Sequence, residues 1–254
     1  MTENRVVKLS ELKSHCQSCS LYNLCLPMGL ESGDLDRLDK VIKRRQSIEK
    51  NKFLFRLGEP LKSVYAIRSG SFKTYLTNPD GTEQIIGFSL PGELLGMDAI
   101  SDDCHVCSAK ALETSSVCEI PFERLEALSR DVPGLQHQLL RLMSKEIQQD
   151  QNLMLLLAQM PAETRLASFL LGLSERLSKR GYASGDFNLS MSRGDIANLL
   201  GMAVETISRL LTQFQESGLL KVERKHISIL NPDKLRSLAT HCASNSCSGS
   251  SKAS

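Results

Sequence analysis

The sequence has no tryptophan, and aromatic residues make up only 5% of its 254 positions. A core must therefore be built from aliphatic side chains, which the 41% hydrophobic content can supply. Net charge is also scarce. Thirty-one Lys and Arg against 29 Asp and Glu leave +2, so bulk charge selects no partner. The longest unbroken apolar run is Leu153 to Ala158. That is far short of the ~20 residues that span a bilayer, so no transmembrane helix and no membrane partner are expected. The N-terminal stretch MTENRVVKLSELKSH lacks the apolar centre of a signal peptide, so a cytoplasmic location is expected. There is no phosphate loop, nucleophile elbow or paired-carboxylate pattern, and the chain is not read as an enzyme.

Cysteine, by contrast, is plentiful, with eight in all. In a reducing compartment these point to metal, cluster or redox chemistry, or to buried thiols, rather than to a disulfide frame. Charge is unevenly distributed. Residues 1–160 hold 19 basic and 21 acidic side chains, a net −2, and residues 161–254 hold 12 and 8, a net +4. A mildly basic C-terminal part is compatible with nucleic acid.

The chain reads as α+β. Residues 1–30 form a Cys-rich segment. Residues 31–131 form a β-roll, jelly-roll-like domain, with short strands in FLFRLGEP, SVYAIRSG, SFKTYLTNPDG, QIIGFSLPG and SVCEIP. Asn78-Pro79-Asp80-Gly81 is a turn signal between two of them. Residues 132–160 form one long helix, opened by Pro133 and ended by Pro161. Residues 161–238 form a small helical domain closed by a hairpin. The Ser-rich stretch 239–254 has a disordered composition.

Within the long helix, Leu140, Met143, Ile147, Asp150, Met154 and Leu157 follow a 3-4-3-4-3 spacing. That is a heptad seam suited to zipping two helices into a homodimer, with one acid in it.

The segment SRGDIANLLGMAVETISRLLTQFQESGLL reads as a helix-turn-helix. Ser192 and Asp195 form a capping box. Ala197 is small where two helices approach, Gly201 permits the turn, and Ile207 anchors the second helix. Val204, Ile207, Leu210 and Leu211 are assigned inward. Glu205, Thr206, Ser208, Arg209 and Thr212 are left outside, where Arg can read guanine, Glu cytosine, and Ser several bases. Lys221, Arg224 and Lys225, around the final hairpin, are candidates for phosphate contacts.

A 4Fe–4S cluster needs four thiolates. Cys16, Cys19 and Cys25 form a local C-x2-C-x5-C run, and the residues alone leave the fourth open among Cys104, Cys107, Cys118, Cys242 and Cys247. Cys242 and Cys247 lie in the tail with nothing to fix them. Cys104 and Cys107 make a second C-x2-C, which with the first is also a zinc signature, but the gap far exceeds ribbon spacing. These two are assigned as exposed loop thiols, and His15 and His105 as surface histidines. A ferredoxin-like redox protein is a competing reading, although it leaves the helix-turn-helix idle.

The cysteine run, VYAIRSG, EQIIGF, LETSSVCEIPFE and VETISRLLTQFQESGL together resemble the FNR family, the oxygen-responsive iron–sulfur branch of the CRP/FNR transcription regulators. The resemblance covers residues 15 to 238. It implies a homodimeric regulator of anaerobic metabolism with a sensory β-roll, a dimer helix and a winged helix-turn-helix. It also implies one oxygen-labile 4Fe–4S cluster per subunit that promotes dimerisation. It further implies double-stranded DNA partners, namely palindromic promoter sites resembling TTGAT-N4-ATCAA, and RNA polymerase. It places the fourth ligand at Cys118 and the base-reading residues on the VETISR segment. A cyclic nucleotide is not expected, because His105 and Val106 stand where the cAMP-binding relatives carry a phosphate-holding Arg followed by Ser or Thr.

Overall fold

The computed structural model describes residues 16–239. His15, Cys242, Cys247 and the segment expected to be a disordered tail therefore lie outside the described residues, save Ala239. The chain divides into two compact units. Of the described residues, the first holds 16–74 together with Phe88–Leu142, and the second holds Tyr75–Gly87 together with 143–239.

Two four-stranded sheets make the β-roll. One has the order β1-β8-β3-β6, with β1 at Lys43–Ile48, β8 at Ser115–Pro121, β3 at Ser63–Ser69 and β6 at Leu94–Leu95. The other has the order β2-β7-β4-β5, with β2 at Phe53–Phe55, β7 at Ser108–Ala111, β4 at Phe72–Thr77 and β5 at Glu83–Ser89. Side chains alternate across each strand, so β3 and β8 serve two cores. Ile67 and Val117 point between the sheets, where they meet Phe55, Phe72 and Ala109. Val64, Ala66 and Ile120 point to the outer face. There they pack with Leu35 and Leu38 of α1 (Ser32–Val41), Leu125 and Leu128 of α2 (Phe122–Asp131), and Leu135 of α3 (Pro133–Gln159). The helix expected from Pro133 and Pro161 is thus present, and Ala162–Ser178 follows as α4.

The second unit contains a helix-turn-helix of α5 (Arg193–Leu199) and α6 (Val204–Glu216). A three-stranded wing has the order β10-β11-β9, with β9 at Asp186–Asn188, β10 at Leu220–Glu223 and β11 at His226–Ile229. Helix α7 (Pro232–Ala239) closes the unit. Leu166 and Leu170 of α4, Ile196, Ile207 and Phe214 supply the fully buried aliphatic and aromatic centre. The expected hairpin is β10 and β11. The third strand, β9, is only three residues long and carries one buried residue, Phe187, too short a pattern to read as a strand.

Gly70 closes the β3–β4 turn at φ +78°, and a Cβ there would lie 2.7 Å from the Ser115 Cα. Both the left-handed backbone and the closeness of β8 require glycine. Gly70→Ala should destabilise the protein by at least ~1–3 kcal/mol in chemical denaturation, the usual cost of a strained backbone, with the steric clash adding to it.

Candidate functional site

The cysteine segment is wound into two short 3-10 turns, Cys16–Ser18 and Tyr22–Leu24. The Cys19 amide donates to the Cys16 carbonyl at 3.2 Å, and Tyr22 N donates to the Cys19 carbonyl at 3.0 Å. Asp39 of α1 holds the start of the segment, with the Cys16 amide 3.1 and 3.2 Å from its two carboxylate oxygens. Leu26, 1% exposed, anchors the other end. Cys118 lies on β8 directly opposite Ala66 of β3, on the outer face of the sheet. One pocket is lined by Cys16, Cys19, Cys25 and Cys118 together with Leu38 and Arg68.

The chemistry of this pocket disfavours free thiolates at Cys16, Cys25 and Cys118. Burial pushes the Cys16 thiol far up, and Asp39, Cys25 and Cys118 add to the rise. Burial takes Cys25 to about 12, partly offset by the Leu26 amide. Cys118 is raised by burial and lowered by the Arg68 charge. Negative sulfurs that raise one another in an apolar pocket need a cationic centre to be stable, and a coordinated thiol is deprotonated outright. Among the described residues, no three His, Cys, Asp or Glu side chains are grouped to hold a single metal ion. A four-iron cluster takes one thiolate per iron and is larger than one ion, so it suits four separated thiols around a common pocket.

Cys104 and Cys107 are placed differently from the exposed loop thiols expected. Cys107 is buried at 4% exposure in the core between the sheets, and Cys104 is half-buried with its backbone bridged to Pro60. Cys107 therefore lies on the opposite side of the β3–β8 sheet from Cys25 and Cys118. Its Sγ donates to Asp98 Oδ2 at 3.4 Å. His105, expected at the surface, is 3% exposed. Its ring stacks on Phe55 at 3.7 Å, and its Nδ1 is 3.2 Å from Asp98 Oδ1. A polar loop sequence gives no sign of such long-range stacking.

Helix α3 links the cysteine segment to the seam. Gln138 is buried, and its Nε2 donates to the Cys25 carbonyl at 3.2 Å. Farther along, Leu140, Ile147 and Met154 are 59%, 55% and 70% exposed, an apolar line with no cover in a single chain. Met143 and Asp150 are exposed on the same seam, and Leu157 is half-buried. Neighbouring side chains partly desolvate Asp150 and push its carboxyl above the usual value.

In the helix-turn-helix, Ser192 accepts from the Asp195 amide at 3.0 Å, and the Ser192 amide donates to Asp195 Oδ2 at 2.9 Å, which completes the capping box. Gly201 takes φ +60° in the turn. Arg165 of α4 donates to the Leu200 carbonyl at 2.7 Å and pins the end of α5. On α6, Glu205, Arg209 and Thr212 are exposed, and Thr206 and Ser208 are half-buried. Val204, assigned inward, is 41% exposed, because as the first residue of α6 it has no preceding turn to pack under. Two contacts on this face have no sequence signal. Thr212 Oγ1 donates to the Ser208 carbonyl at 3.1 Å, and Arg193 Nη1 donates to Ser208 Oγ at 3.3 Å. In the wing, Lys221 pairs with Glu223 at 2.8 Å, Lys225 donates to the Ser190 carbonyl at 3.3 Å, and Arg224 occupies the turn at φ +58°.

Comparison with known proteins agrees with this architecture. Residues 164–238 match the Crp-like helix-turn-helix domain, and residues 45–131 match the cyclic nucleotide-binding domain. The chain is 52% identical over 227 residues to the fumarate and nitrate reduction regulatory protein of Salmonella typhimurium, covering 89% of this chain and 91% of that one. It is 50% identical over 227 residues to the transcriptional activator protein Anr of Pseudomonas protegens, covering 89% and 93%. Among solved structures, FixK2 from Bradyrhizobium japonicum superposes with a TM-score of 0.72 at 31% identity, covering 78% of this chain and 97% of that one. A β-roll carrying a cysteine pocket, a long seam-bearing helix and a winged helix-turn-helix thus sit in a chain that belongs to the CRP/FNR family of transcription regulators, in its FNR group.

Proposed function

We propose that this protein is an oxygen-responsive transcription regulator of anaerobic metabolism. In this reading it acts in the cytoplasm as a homodimer, binds palindromic DNA and engages RNA polymerase. The observation that carries the reading is the convergence of Cys16, Cys19 and Cys25 with the distant Cys118 on one pocket. These four residues would hold one 4Fe–4S cluster per subunit. When bound, such a cluster supplies an oxygen-labile metal centre, so that cysteine ligation depends on oxygen.

The protein's own residues carry the rest. Ligation would fix the Cys16–Cys25 segment against β8, and the Gln138 bond to Cys25 together with the shared core of Leu26, Leu30 and Leu135 connects that segment to α3. The α3 seam is apolar except at Asp150. In a parallel pair, two copies of Asp150 would approach. Carboxylates ~4 Å apart repel by about 1 kcal/mol in water, and by more where solvent is partly excluded. Dimerisation is then poised, so that a small input can tip it. On α6, Glu205, Thr206, Ser208, Arg209 and Thr212 face the bases, with Arg209 on guanine and Glu205 helping to select the opposing pair.

A cyclic nucleotide is a poor occupant of this β-roll. Residues 91–107 carry Glu93, Asp98, Asp102 and Asp103 and no Lys or Arg, so a phosphate there would meet acids without a charge-assisted donor.

Replacing Cys16, Cys19, Cys25 or Cys118 singly with Ser should abolish cluster absorbance after anaerobic reconstitution, whereas Cys107→Ser should retain it. A full cluster in Cys118→Ser with loss in Cys107→Ser would overturn the ligand set. Arg209→Ala should cost on the order of 1–3 kcal/mol at a cognate half-site and relax base preference there, measured against single-base variants of the duplex. Asp150→Ala should bind a labelled palindrome in air without a cluster, as read by anisotropy. Equal weak binding by the folded variant and the cluster-free wild type would show that Asp150 does not restrain the dimer.

A further inference from the structure

Arg193 is exposed and is the first residue of α5, directly after the cap Ser192. Its guanidinium crosses from α5 to α6, where Nη1 donates to Ser208 Oγ at 3.3 Å. Ser208 Oγ donates no hydrogen bond among the described residues. A serine hydroxyl has one proton and two acceptor sites, and its proton rotates to suit its partners. Beside a guanidinium the oxygen serves as the acceptor, and the hydroxyl proton turns away from the positive charge.

We infer that Arg193 is a positioning residue for sequence recognition, which biases the Ser208 hydroxyl toward donating to DNA. This rests on the reading of α6 as the recognition helix. Ser208 lies on the same face of α6 as Glu205 and Thr212, which stand three and four residues away. In the major groove, guanine offers O6 and N7 as acceptors, adenine N7 and thymine O4, whereas cytosine offers its amino donor. Arg193 takes one of the two acceptor sites, and its charge disfavours a second donor approaching the same oxygen, so Ser208 favours guanine, adenine or thymine at its base position over the cytosine amino group. A serine free of Arg193 accepts without that penalty, and cytosine is then better tolerated. The same logic limits Thr212, whose hydroxyl proton is spent on the Ser208 carbonyl and which therefore offers only an acceptor outward.

The effect predicted is on selectivity at one position of each half-site rather than on affinity as a whole. The test uses full-length protein, loaded anaerobically, with duplexes carrying TTGAT-N4-ATCAA and every symmetric single-base replacement. Ser208→Ala identifies the position by the discrimination it loses. At that position Arg193→Ala should lose about five- to tenfold of the discrimination against cytosine, the size of one hydrogen bond, and leave the other positions unchanged. The double variant should discriminate no less than Ser208→Ala alone, and Arg193→Lys should recover part of the selectivity.

Three results would overturn the inference. If Arg193→Ala weakens every duplex equally and flattens the salt dependence, Arg193 is a phosphate contact. If it leaves cytosine discrimination intact in a folded protein that binds normally, Ser208 is not oriented by it. If wild type shows no base preference and Ser208→Ala and Arg209→Ala change nothing, the recognition-helix reading fails together with this one.

Discussion

Leu26 and Leu30 bury the cysteine segment against the outer face of β3 and β8, at 1% and 7% exposure, and the first compact unit is organised around that contact. The same apolar layer contains Val64, Ala66 and Ile120 from the sheet, Leu35 and Leu38 from α1, and Leu135 from α3. It brings three cysteines of one loop to the strand position of a fourth. The apolar surroundings make thiolates costly, as the raised Cys16, Cys25 and Cys118 thiols show. By itself the pocket therefore favours neutral thiols, and a bound cationic centre is what would stabilise thiolates there. Helix α3 begins in this layer with Leu135 and farther along carries the exposed apolar line of Leu140, Ile147 and Met154.

The reading half follows a different economy. Its core is fully buried, and its turn is held by the capping box, Gly201 and the Arg165 bond to Leu200. Those contacts fix α6 as a rigid platform, so its exposed face can specify bases rather than adapt to them. On that face Arg193 donates to the Ser208 hydroxyl, and the Thr212 hydroxyl donates to the Ser208 carbonyl.

Much of this was legible in sequence because it depends on local signals. Pro133 and Pro161 bound α3 by removing amide donors, and Asn78–Gly81 make a tight turn with Gly81 at φ +83°. The helix-turn-helix declared itself through Ser192, Ala197, Gly201 and Ile207 at fixed offsets. Other elements carry weak local patterns. Strand β1 reads KRRQSI, a charged edge strand without alternation, and β7 reads SAKA, small residues whose place is set by the closeness of the facing sheet. Helix α2 was absorbed into the β-roll, although Leu125 and Leu128 have helical spacing. His105 looked exposed in the polar run DDCHVC, yet Phe55 and Asp98 bury it through contacts distant in sequence. Val117 and Ile120 beside Cys118 gave the strand, but which face of the sheet meets the cysteine loop is a tertiary fact.

In the function proposed above, four cysteines from two distant segments hold one cluster whose presence sets the association of the chain. Native mass spectrometry of protein purified without air tests it most directly, because composition and oligomeric state are read from the same ions. The expected result is a dimer carrying one four-iron, four-sulfide cluster per chain, and a cluster-free monomer after exposure to air. A single zinc ion per chain, or a dimer that persists unchanged once the cluster is lost, would contradict it.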